Sequence, residues 1–524
     1  MTLWLAAERG LDRVCGPAAN PLRQLGAVAA FAFALLAASG ALLYVLLDTS
    51  ADGAWASIER LAVVPLGLGD LLRGLHRHAA DLLVVALVLH LLREWLHGHY
   101  VRVHRFAWLT GVPLVGFVFA AGIGGFWLNW DQLGQYSALA TAEWLDALPL
   151  LGAPMARNFL GVASVGDRLF SLFLFVHVGV SLLMAFGLWF HVQRLGRPVL
   201  WPTRALVLAL LAMLALVAVL APVRSHAPAA LARVPAELRL DWFLLFLHPL
   251  GEALTLPGLW VLVAAVAALL FGLPLWRRAQ PAAPVAVVDA ANCNGCRRCE
   301  DDCPYAAVTM VPHPNQRIGR HLAVVDSTMC AGCGICAGAC PSSTPFRGAA
   351  QLVTGIDMPQ RPVSVLRAEL RAALAACTAP APIVVFGCGQ GARLATVAAP
   401  DVLTIGLICT GQLPPSFVEY ALRDGAAGVL VAACREGGCA FRQGERWAAQ
   451  RLLGQREPHL RDGVPADRWA MASAGAGDEA ALAQAVRQLR QRLNALDDAA
   501  DNYPIAAAPA APPAAVAPFP SPPP

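Results

Sequence analysis

The first half of the chain is built of long apolar runs separated by short polar segments. Six such runs occur, each about long enough to cross a bilayer as a helix. They are Leu25 to Leu47, Ala79 to Leu96, Trp108 to Leu128, Leu169 to Val192, Ala205 to Ala221 and Leu256 to Trp276. We therefore predict an all-α bundle of six membrane spans over residues 1–279.

After Trp276 the apolar runs shorten to the length of β-strands. Three short runs within residues 280–350 predict a small α+β domain, and 351–380 reads as a linker. Between 381 and 496, buried-type strands alternate with helical patterns, which predicts an α/β domain with a doubly wound parallel sheet. Residues 497–524 are rich in Ala and Pro and should be disordered.

Composition agrees with a protein that lies largely in lipid. Hydrophobic residues make up 57% of the chain and charged residues 14%, and the mean hydropathy is +0.56, far from an average soluble domain. Arginines concentrate in alternate loops, which should be cytoplasmic by the positive-inside rule. We therefore expect a multi-pass protein of the bacterial inner membrane with both chain ends in the cytoplasm. The net charge of +4 gives no indication of nucleic-acid binding.

Four histidines accompany two of the apolar runs at matched spacing. His76 and His90 lie fourteen positions apart, as do His177 and His191. Fourteen helical residues rise about 21 Å and return to nearly the same face, so two such helices can stack two bis-imidazole sites across a membrane. A haem needs a ligand on each side of its plane. We predict His76 with His177 near the outer surface and His90 with His191 near the cytoplasm.

Glycines repeat the histidine period on neighbouring runs. Gly26 and Gly40 are fourteen apart in the first run, and Gly111 and Gly125 are fourteen apart in the third. A helix can pass closely by a haem only where it has no Cβ, although glycine is also common where membrane helices pack. The alternative for the histidines is a set of interfacial polar residues, which is how we interpret His78, His97, His99 and His104.

On these residues the first four spans resemble cytochrome b of the quinol-oxidising complexes. The stretch from Gly125 through Pro149 aligns without gaps to the family segment that lines the outer quinol pocket. The resemblance implies two haem b groups and assigns their propionates to three arginines. These are Arg73, Arg93 and Arg168, of which Arg93 could equally be an interfacial cation.

The sequence departs from that family at the outer quinone pocket. Its Pro-Trp-Gly-Gln is Asn129-Trp130-Asp131-Gln132 here, and its Pro-Glu-Trp-Tyr corresponds to Leu240-Asp241-Trp242-Phe243. Asp241 could accept a quinol proton at this site, and a solvated loop acid is the alternative reading.

Eight cysteines form two copies of one run, each of which ends in Cys-Pro. The runs are Cys293-x2-Cys296-x2-Cys299-x3-Cys303 and Cys330-x2-Cys333-x2-Cys336-x3-Cys340. This spacing is that of two-cluster bacterial ferredoxins, in which the fourth cysteine of each run ligates the other cluster, and it disfavours zinc. We predict one [4Fe-4S] cluster on Cys293, Cys296, Cys299 and Cys340. The other would be held by Cys330, Cys333, Cys336 and Cys303.

Four more cysteines follow the predicted strands of the last domain. Cys388, Cys409 and Cys434 each follow a strand, and Cys439 comes five residues later, so all four should meet at the carboxyl edge of the sheet. From the ligands alone, a [2Fe-2S] cluster and tetrahedral zinc are equally good interpretations. The surrounding motifs resemble the iron-sulfur delta subunit of methyl-viologen-reducing hydrogenases, which implies [2Fe-2S]. Cys15 and Cys377 read as incidental thiols.

Together these motifs predict an electron conduit between a cytoplasmic redox protein and quinone. Electrons would enter at the [2Fe-2S] domain from a flavoprotein of heterodisulfide-reductase type, a dehydrogenase or a hydrogenase, pass the two cubanes and reach the haems. Membrane lipid is a further partner, and homodimerisation is left open. Two alternatives remain: a relay and membrane-anchor subunit without its own quinone site, and quinol-driven reduction of a low-potential cytoplasmic acceptor.

Overall fold

The computed structural model describes residues 2–148, 160, 165–195, 198–233, 237–276, 284–315, 320–341, 352–435 and 437–501. The tail beyond residue 501, for which the sequence predicts disorder, lies outside the described residues. So do Arg197, Arg277 and Arg278 of the predicted cytoplasmic loops, and Pro149 of the predicted quinol-pocket segment.

The described parts of the N-terminal region are mostly helical, with an irregular stretch between Ala221 and Phe246. Its helices are α1 Thr2–Cys15, α2 Leu25–Leu46, α3 Ala54–Glu59, α4 Leu68–Leu96, α5 Arg105–Asn129, α6 Gln132–Asp146, α7 Asp167–Val192, α8 Arg204–Leu220, α9 Leu247–Leu254 and α10 Leu256–Trp276. Among the described residues, α2, α5, α7 and α10 are long and apolar enough to cross a membrane, and α8 is a shorter apolar helix. The count of six spans therefore stays a prediction.

The second predicted span differs most from its helix. The apolar run begins at Ala79, whereas α4 begins at Leu68. Its first turns are polar, but they are held by buried contacts: the Arg73 guanidinium donates to Glu59 at 3.0 Å and to the Ser225 hydroxyl at 2.7 Å. A hydropathy pattern finds the apolar part of a helix and misses a polar part that has tertiary partners.

The membrane helices pack in two main pairs, α2 with α4 and α5 with α7. A shared apolar core joins the pairs, and its members include Ala32, Leu83, Val84, Leu114, Val118, Met184 and Leu244. The outward side of α7 exposes Phe175, Leu182 and Phe186, as expected for a helix that faces lipid. This pairing brings the histidine helices α4 and α7 into one bundle with the glycine helices α2 and α5.

The middle domain is small and consists of two antiparallel strand pairs with two short helices. Its elements are β1 Val287–Val288, α11 Arg298–Asp302, β2 Val308–Pro312, β3 His321–Val325, α12 Ile335–Ala339 and β4 Ile356–Asp357. Strand β2 pairs with β3, and β1 pairs with β4. Each of the three short runs predicted to form a strand overlaps an observed strand, β1, β2 or β3.

The last domain contains a four-stranded, wholly parallel sheet in the order β6-β5-β7-β8. Its elements are α13 Val363–Ala376, β5 Ile383–Cys388, β6 Val402–Leu407, α14 Ser416–Arg423, β7 Gly428–Ala433, α15 Gly444–Leu452, β8 Trp469–Ser473 and α16 Glu479–Asp501. Strands β5 and β7 are buried along their whole length. Helices α13 and α14 cover one face of the sheet and α16 covers the other.

The segment assigned to a linker, 351–380, is folded over most of its length. It contains β4, which pairs with β1, and α13, whose Leu366 and Leu370 are fully buried against the parallel sheet. The leucines of α13 recur every four residues, which is the signature of an amphipathic helix. The segment thus belongs to both neighbouring domains and connects them through packed structure.

Candidate redox centres

The first histidine pair, His76 of α4 and His177 of α7, faces across the bundle. The ring centroids are 6.4 Å apart, with an interplanar angle of 64°. Two imidazoles bound to one iron at metal–nitrogen distances of about 2 Å would hold their centroids about 6 Å apart. The separation therefore fits a bis-imidazole haem site between these two helices.

Three of the four histidines have a fixed ring orientation. Each has its Nδ1 beside an oxygen, namely the Ser39 hydroxyl for His76 (3.0 Å), the Thr110 hydroxyl for His191 (3.1 Å) and the Ala121 carbonyl for His177 (2.8 Å). The two hydroxyls donate to helix carbonyls one turn back, so each accepts from the imidazole. A proton held on Nδ1 leaves the Nε2 lone pair available to a metal.

The fourth histidine, His90, stands beside a buried carboxylate. Its Nδ1 is 3.9 Å from the Glu94 carboxylate, one helical turn further along α4. Glu94 also accepts from His99 at 2.7 Å and from Arg93 at 3.1 Å. The His99 ring stacks on His104 at 4.6 Å. The sequence pattern indicates interfacial residues at His99 and His104, and only their packing around Glu94 reveals this cluster.

The four repeated glycines each pack against one of the four histidines. A Cβ built on Gly26, Gly40, Gly111 or Gly125 would lie 3.3, 3.0, 3.1 and 3.1 Å from the Cε1 of His90, His76, His191 and His177, respectively. Such contacts are too tight for an ordinary side chain. The glycines therefore leave space at the imidazoles, which fits a bulky planar group held between the rings.

Gly111 offers a direct test of that close approach. Gly111→Ala should push the His191 ring away from its position beside Thr110, and we expect loss of any haem held by His90 and His191, or a clear change in its spectrum. Gly116→Ala is the matched control, because it lies on the same helix with nothing within 4 Å of its Cβ position. Optical spectra and haem content of the purified variants measure the effect. Two unaltered haems in Gly111→Ala would contradict the role given to this glycine.

The three predicted propionate arginines have different surroundings. Arg73 is buried and bonded to Glu59 and Ser225. Arg93 is buried between Glu8, 3.6 Å from its Nε, and Glu94. Arg168 is exposed at the start of α7. Arg73 and Arg93 are therefore already held in position by protein carboxylates.

Asp241 is half-buried in an ion pair with Arg77, which also pairs with Asp81 at 2.6 Å. Its other carboxylate oxygen accepts the backbone N–H groups of Phe243 (3.1 Å) and Leu244 (2.7 Å). The carboxylate is thus a fixed acceptor that caps a turn. The alternative of a freely solvated loop acid does not describe its surroundings.

A second polar cluster lies near this end of the bundle and carries no recognisable sequence signal. The buried His248 of α9 meets the Ser137 hydroxyl of α6 at 3.0 Å, and the neighbouring Tyr136 donates to Glu252 at 2.8 Å. These residues are isolated in sequence, and only the packing of α6 on α9 brings them together. Buried His248 and Ser137 thus adjoin the more exposed Tyr136–Glu252 pair between two helices.

The eight ferredoxin-type cysteines surround two cavities. Cys293, Cys296, Cys299 and Cys340 line one of them, together with Met310 and Ile356. Cys330, Cys333, Cys336 and Cys303 line the other, together with Tyr305 and Met358. Each cavity thus receives three cysteines from one run and the last cysteine of the other run, which is the grouping that the spacing predicts.

Burial of these thiols disfavours their charged thiolate form unless a positive charge lies close by. It raises the pKa of Cys299 and of Cys333 to about 12, and that of Cys336 well above its ordinary value. A neutral thiol is therefore favoured when nothing is bound. Iron ligation requires thiolates, and the charge of bound iron would stabilise them, so the cavities fit cationic clusters.

The four cysteines predicted as ligands in the last domain meet at the carboxyl edge of the parallel sheet. All four are at most 4% exposed, and the Sγ atoms of Cys388 and Cys434 are 3.3 Å apart. Gly444, at the start of α15, makes room for them, since its Cβ would lie 1.9 Å from the Cys409 sulfur and 3.3 Å from that of Cys439. The four sulfurs therefore converge on one buried site, as the positions of the strands predict.

Comparison with known proteins finds a family match in each of the three regions. Residues 12–197 match cytochrome b/b6/petB, residues 292–344 match the 4Fe-4S dicluster domain, and residues 383–497 match the delta subunit of methyl-viologen-reducing hydrogenase. Among solved structures, a chain titled "Hyperthermophilic respiratory Complex III" is similar at 20% identity and a TM-score of 0.41, covering 48% of this chain and 74% of that one. The matches confirm the three resemblances stated from the sequence.

The fold and these matches define a membrane redox protein. It combines a cytochrome b-like helical region, which implies haem b, with a 4Fe-4S domain and a strand-containing C-terminal region. The chain is an electron-transfer subunit of the membrane.

Proposed function

We propose that this protein carries electrons between a cytoplasmic flavoprotein or dehydrogenase and the quinone pool. The proposed centres are two haem b groups on His76/His177 and His90/His191, two [4Fe-4S] clusters on the paired cysteine runs, and one [2Fe-2S] cluster on Cys388, Cys409, Cys434 and Cys439. One observation carries the proposal. The three cysteine sites and the two histidine sites lie in domains that pack directly on one another, with no domain between the iron-sulfur region and the helical bundle.

The chain's own residues would fix and insulate these centres. The histidines would bind iron through Nε2 while Ser39, Thr110 and the Ala121 carbonyl hold their rings, and the buried cysteines would exclude water from the clusters. The bound iron groups supply one-electron exchange. We propose the bacterial inner membrane as the location, with the iron-sulfur domains on the cytoplasmic side, which also suits reduced thiolates.

Asp241 is proposed as the proton acceptor of an outer quinone site. Its carboxylate is held toward Arg77, and a positioned acid within a membrane bundle is usually functional. In liposomes containing the purified protein, a short-chain quinol and ferricyanide as the one-electron acceptor, Asp241→Asn should lower quinol oxidation by a factor on the order of a hundred without loss of haem. Asp81→Asn is the matched control, because it removes the other carboxylate that pairs with Arg77. Turnover is followed by quinol absorbance.

A relay subunit without its own quinone site is the second candidate. It is favoured by the same ion pair, because a carboxylate already satisfied by Arg77 and two backbone N–H groups has little need of a quinol proton. Haems that are reduced chemically but never by quinol would establish the relay. Equal turnover in the unsubstituted protein and Asp241→Asn would remove Asp241 from the site.

A further inference from the structure

We infer that the four-cysteine centre of the C-terminal domain, and neither cubane, exchanges electrons directly with the haem on His90 and His191. The cubane on Cys293, Cys296, Cys299 and Cys340 is then the port for the soluble partner. This order differs from the one expected from the sequence, in which electrons enter at the [2Fe-2S] domain. It rests on the proposed function, because it assumes that these sites hold iron.

Gly437 and Ala440, on either side of Cys439, contact the end of the bundle that carries His90 and His191. The Gly437 carbonyl accepts a hydrogen bond from the Arg93 guanidinium, three residues after His90 on the same helix. A Cβ on Gly437 would lie 3.4 Å from the Arg23 carbonyl, just before the helix whose Gly26 packs on His90. The Ala440 carbonyl, next to Cys439, meets His104 Nε2 at 2.7 Å.

Buried charges hold this loop in place. Arg435, next to Cys434, pairs with Glu8 of α1 at 3.4 Å and with Asp478. Arg9 of α1 reaches Asp478 at 3.1 Å. The side chains of Glu8 and Asp478 are 3% and 5% exposed, and a buried charge network of this kind tolerates little displacement because each charge needs its partner. The four-cysteine site is therefore fixed against the membrane region.

The same site is packed against the second cubane cavity on its other side. Cys333 and Cys388, Cys409, Cys434 and Cys439 belong to one buried cluster with Tyr305 and Trp447. Arg451, which is fully buried, donates to the Gly411 carbonyl at 2.8 Å and to the Ile335 carbonyl at 3.3 Å, and it pairs with Asp302. These bonds join α11 and α12 of the cubane domain to the four-cysteine domain.

The first cubane cavity lies at the far end of this series. Cys336, Cys340, Cys293 and Cys299 share a second buried cluster, which links the two cubane cavities. Cys296 of the first cavity is the one exposed cysteine among the twelve proposed ligands, all of which are described. A partner can thus approach this cavity closely from solvent. The resulting order is first cubane, second cubane, four-cysteine centre, haem.

A shorter route from the second cubane to the haem is the competing possibility. The Tyr305 ring, which lines the second cavity, meets the His104 ring edge-on at 6.5 Å. That contact is between rings, with no hydrogen bond at the Tyr305 hydroxyl in the described structure. Two backbone carbonyls near Cys439, those of Gly437 and Ala440, instead form hydrogen bonds with the Arg93 and His104 side chains of the membrane region. Hydrogen-bonded contact provides stronger electronic coupling than a ring contact at that distance.

The order can be tested by injecting electrons at the first cubane. Ala291 is exposed and precedes Cys293 by two residues, so a ruthenium photosensitiser attached to Ala291→Cys would deliver single electrons there. Cys15→Ser and Cys377→Ser remove competing thiols. A sacrificial donor regenerates the sensitiser, and each transfer step oxidises one centre and reduces the next by one electron. In the full chain, optical absorbance measures haem reduction and electron paramagnetic resonance measures cluster reduction.

In the labelled protein we expect cubane reduction followed by haem reduction. Cys409→Ser should retain reducible cubanes but slow haem reduction by a factor on the order of ten or more. If Cys409→Ser loses the cubanes, Arg435→Gln replaces it, because it keeps every cysteine and loosens the docked loop; its haem reduction should also slow.

Two results would overturn the inference in distinguishable ways. Haem reduction at the original rate in Cys409→Ser with cubanes present, or in Arg435→Gln, excludes the four-cysteine relay and leaves the proposed conduit intact. Haems that stay oxidised in the labelled protein while both cubanes are reduced overturn the conduit itself.

Discussion

Replacement of His177 by alanine is expected to remove one of the two haems and leave the other in place. His177 faces His76 across the bundle, and a haem held between them would lose one of its two axial imidazoles. We expect the haem content of the purified protein to fall by about half, as measured by haem extraction and optical spectroscopy. The loss of the low-spin paramagnetic signal of one haem should accompany it.

His78→Ala is the matched control for this variant. His78 lies two residues from His76 on α4, but its Nε2 meets the Ala221 carbonyl at 3.1 Å rather than the opposite histidine. Its haem content should match the unsubstituted protein. If His177→Ala retained its full haem content, His76 and His177 would not be the two axial ligands of one haem.

The second large effect is expected at Arg451, which joins the two iron-sulfur domains. Arg451→Met would leave the Asp302 carboxylate, which is 2% exposed, with Arg456 as its remaining charged partner. Removing one member of a buried ion pair usually costs about 3–5 kcal/mol. We expect a marked fall in the midpoint of thermal loss of iron-sulfur absorbance in the detergent-solubilised full chain, and faster cleavage between the two domains by protease.

Arg393→Met provides the reference for that measurement. Its side chain is 81% exposed and pairs with Glu479 at the surface, so its removal should change stability by less than about 0.5 kcal/mol. If Arg451→Met and Arg393→Met unfold at the same temperature, Arg451 does not join the domains in the way its contacts indicate.

Sequence alone reached the residues whose spacing has a fixed physical meaning. A helix returns to the same face after fourteen residues, so His76 and His90, like Gly26 and Gly40, could be paired from their positions in the chain. The cysteine runs are informative for a similar reason, since a loop that holds three thiolates around one cluster permits few spacings. The strands of the last domain were recognisable because both faces of a parallel sheet are buried.

What the sequence could not reveal depends on contacts between distant segments. Glu94 and His104 become neighbours of the four-cysteine loop only when the C-terminal domain docks, and Ala440 is more than three hundred residues from His104. The leucines of α13 predict an amphipathic helix, but the sheet that buries them follows in the chain, so the sequence does not show which domain this helix joins. The sequence around Arg77 likewise gives no indication that this arginine pairs with the Asp241 carboxylate.

The docking of α1 on the C-terminal domain has a consequence for assembly. Glu8 and Arg9 precede the membrane helices in the chain and leave the ribosome before them, whereas Arg435 and Asp478 follow these helices and are made after them. Glu8, which is buried in the folded protein, is therefore still exposed to water while the membrane helices insert. The contact between α1 and the C-terminal domain would therefore form after the membrane helices have inserted. Its formation would fix the folded iron-sulfur domains to the bundle.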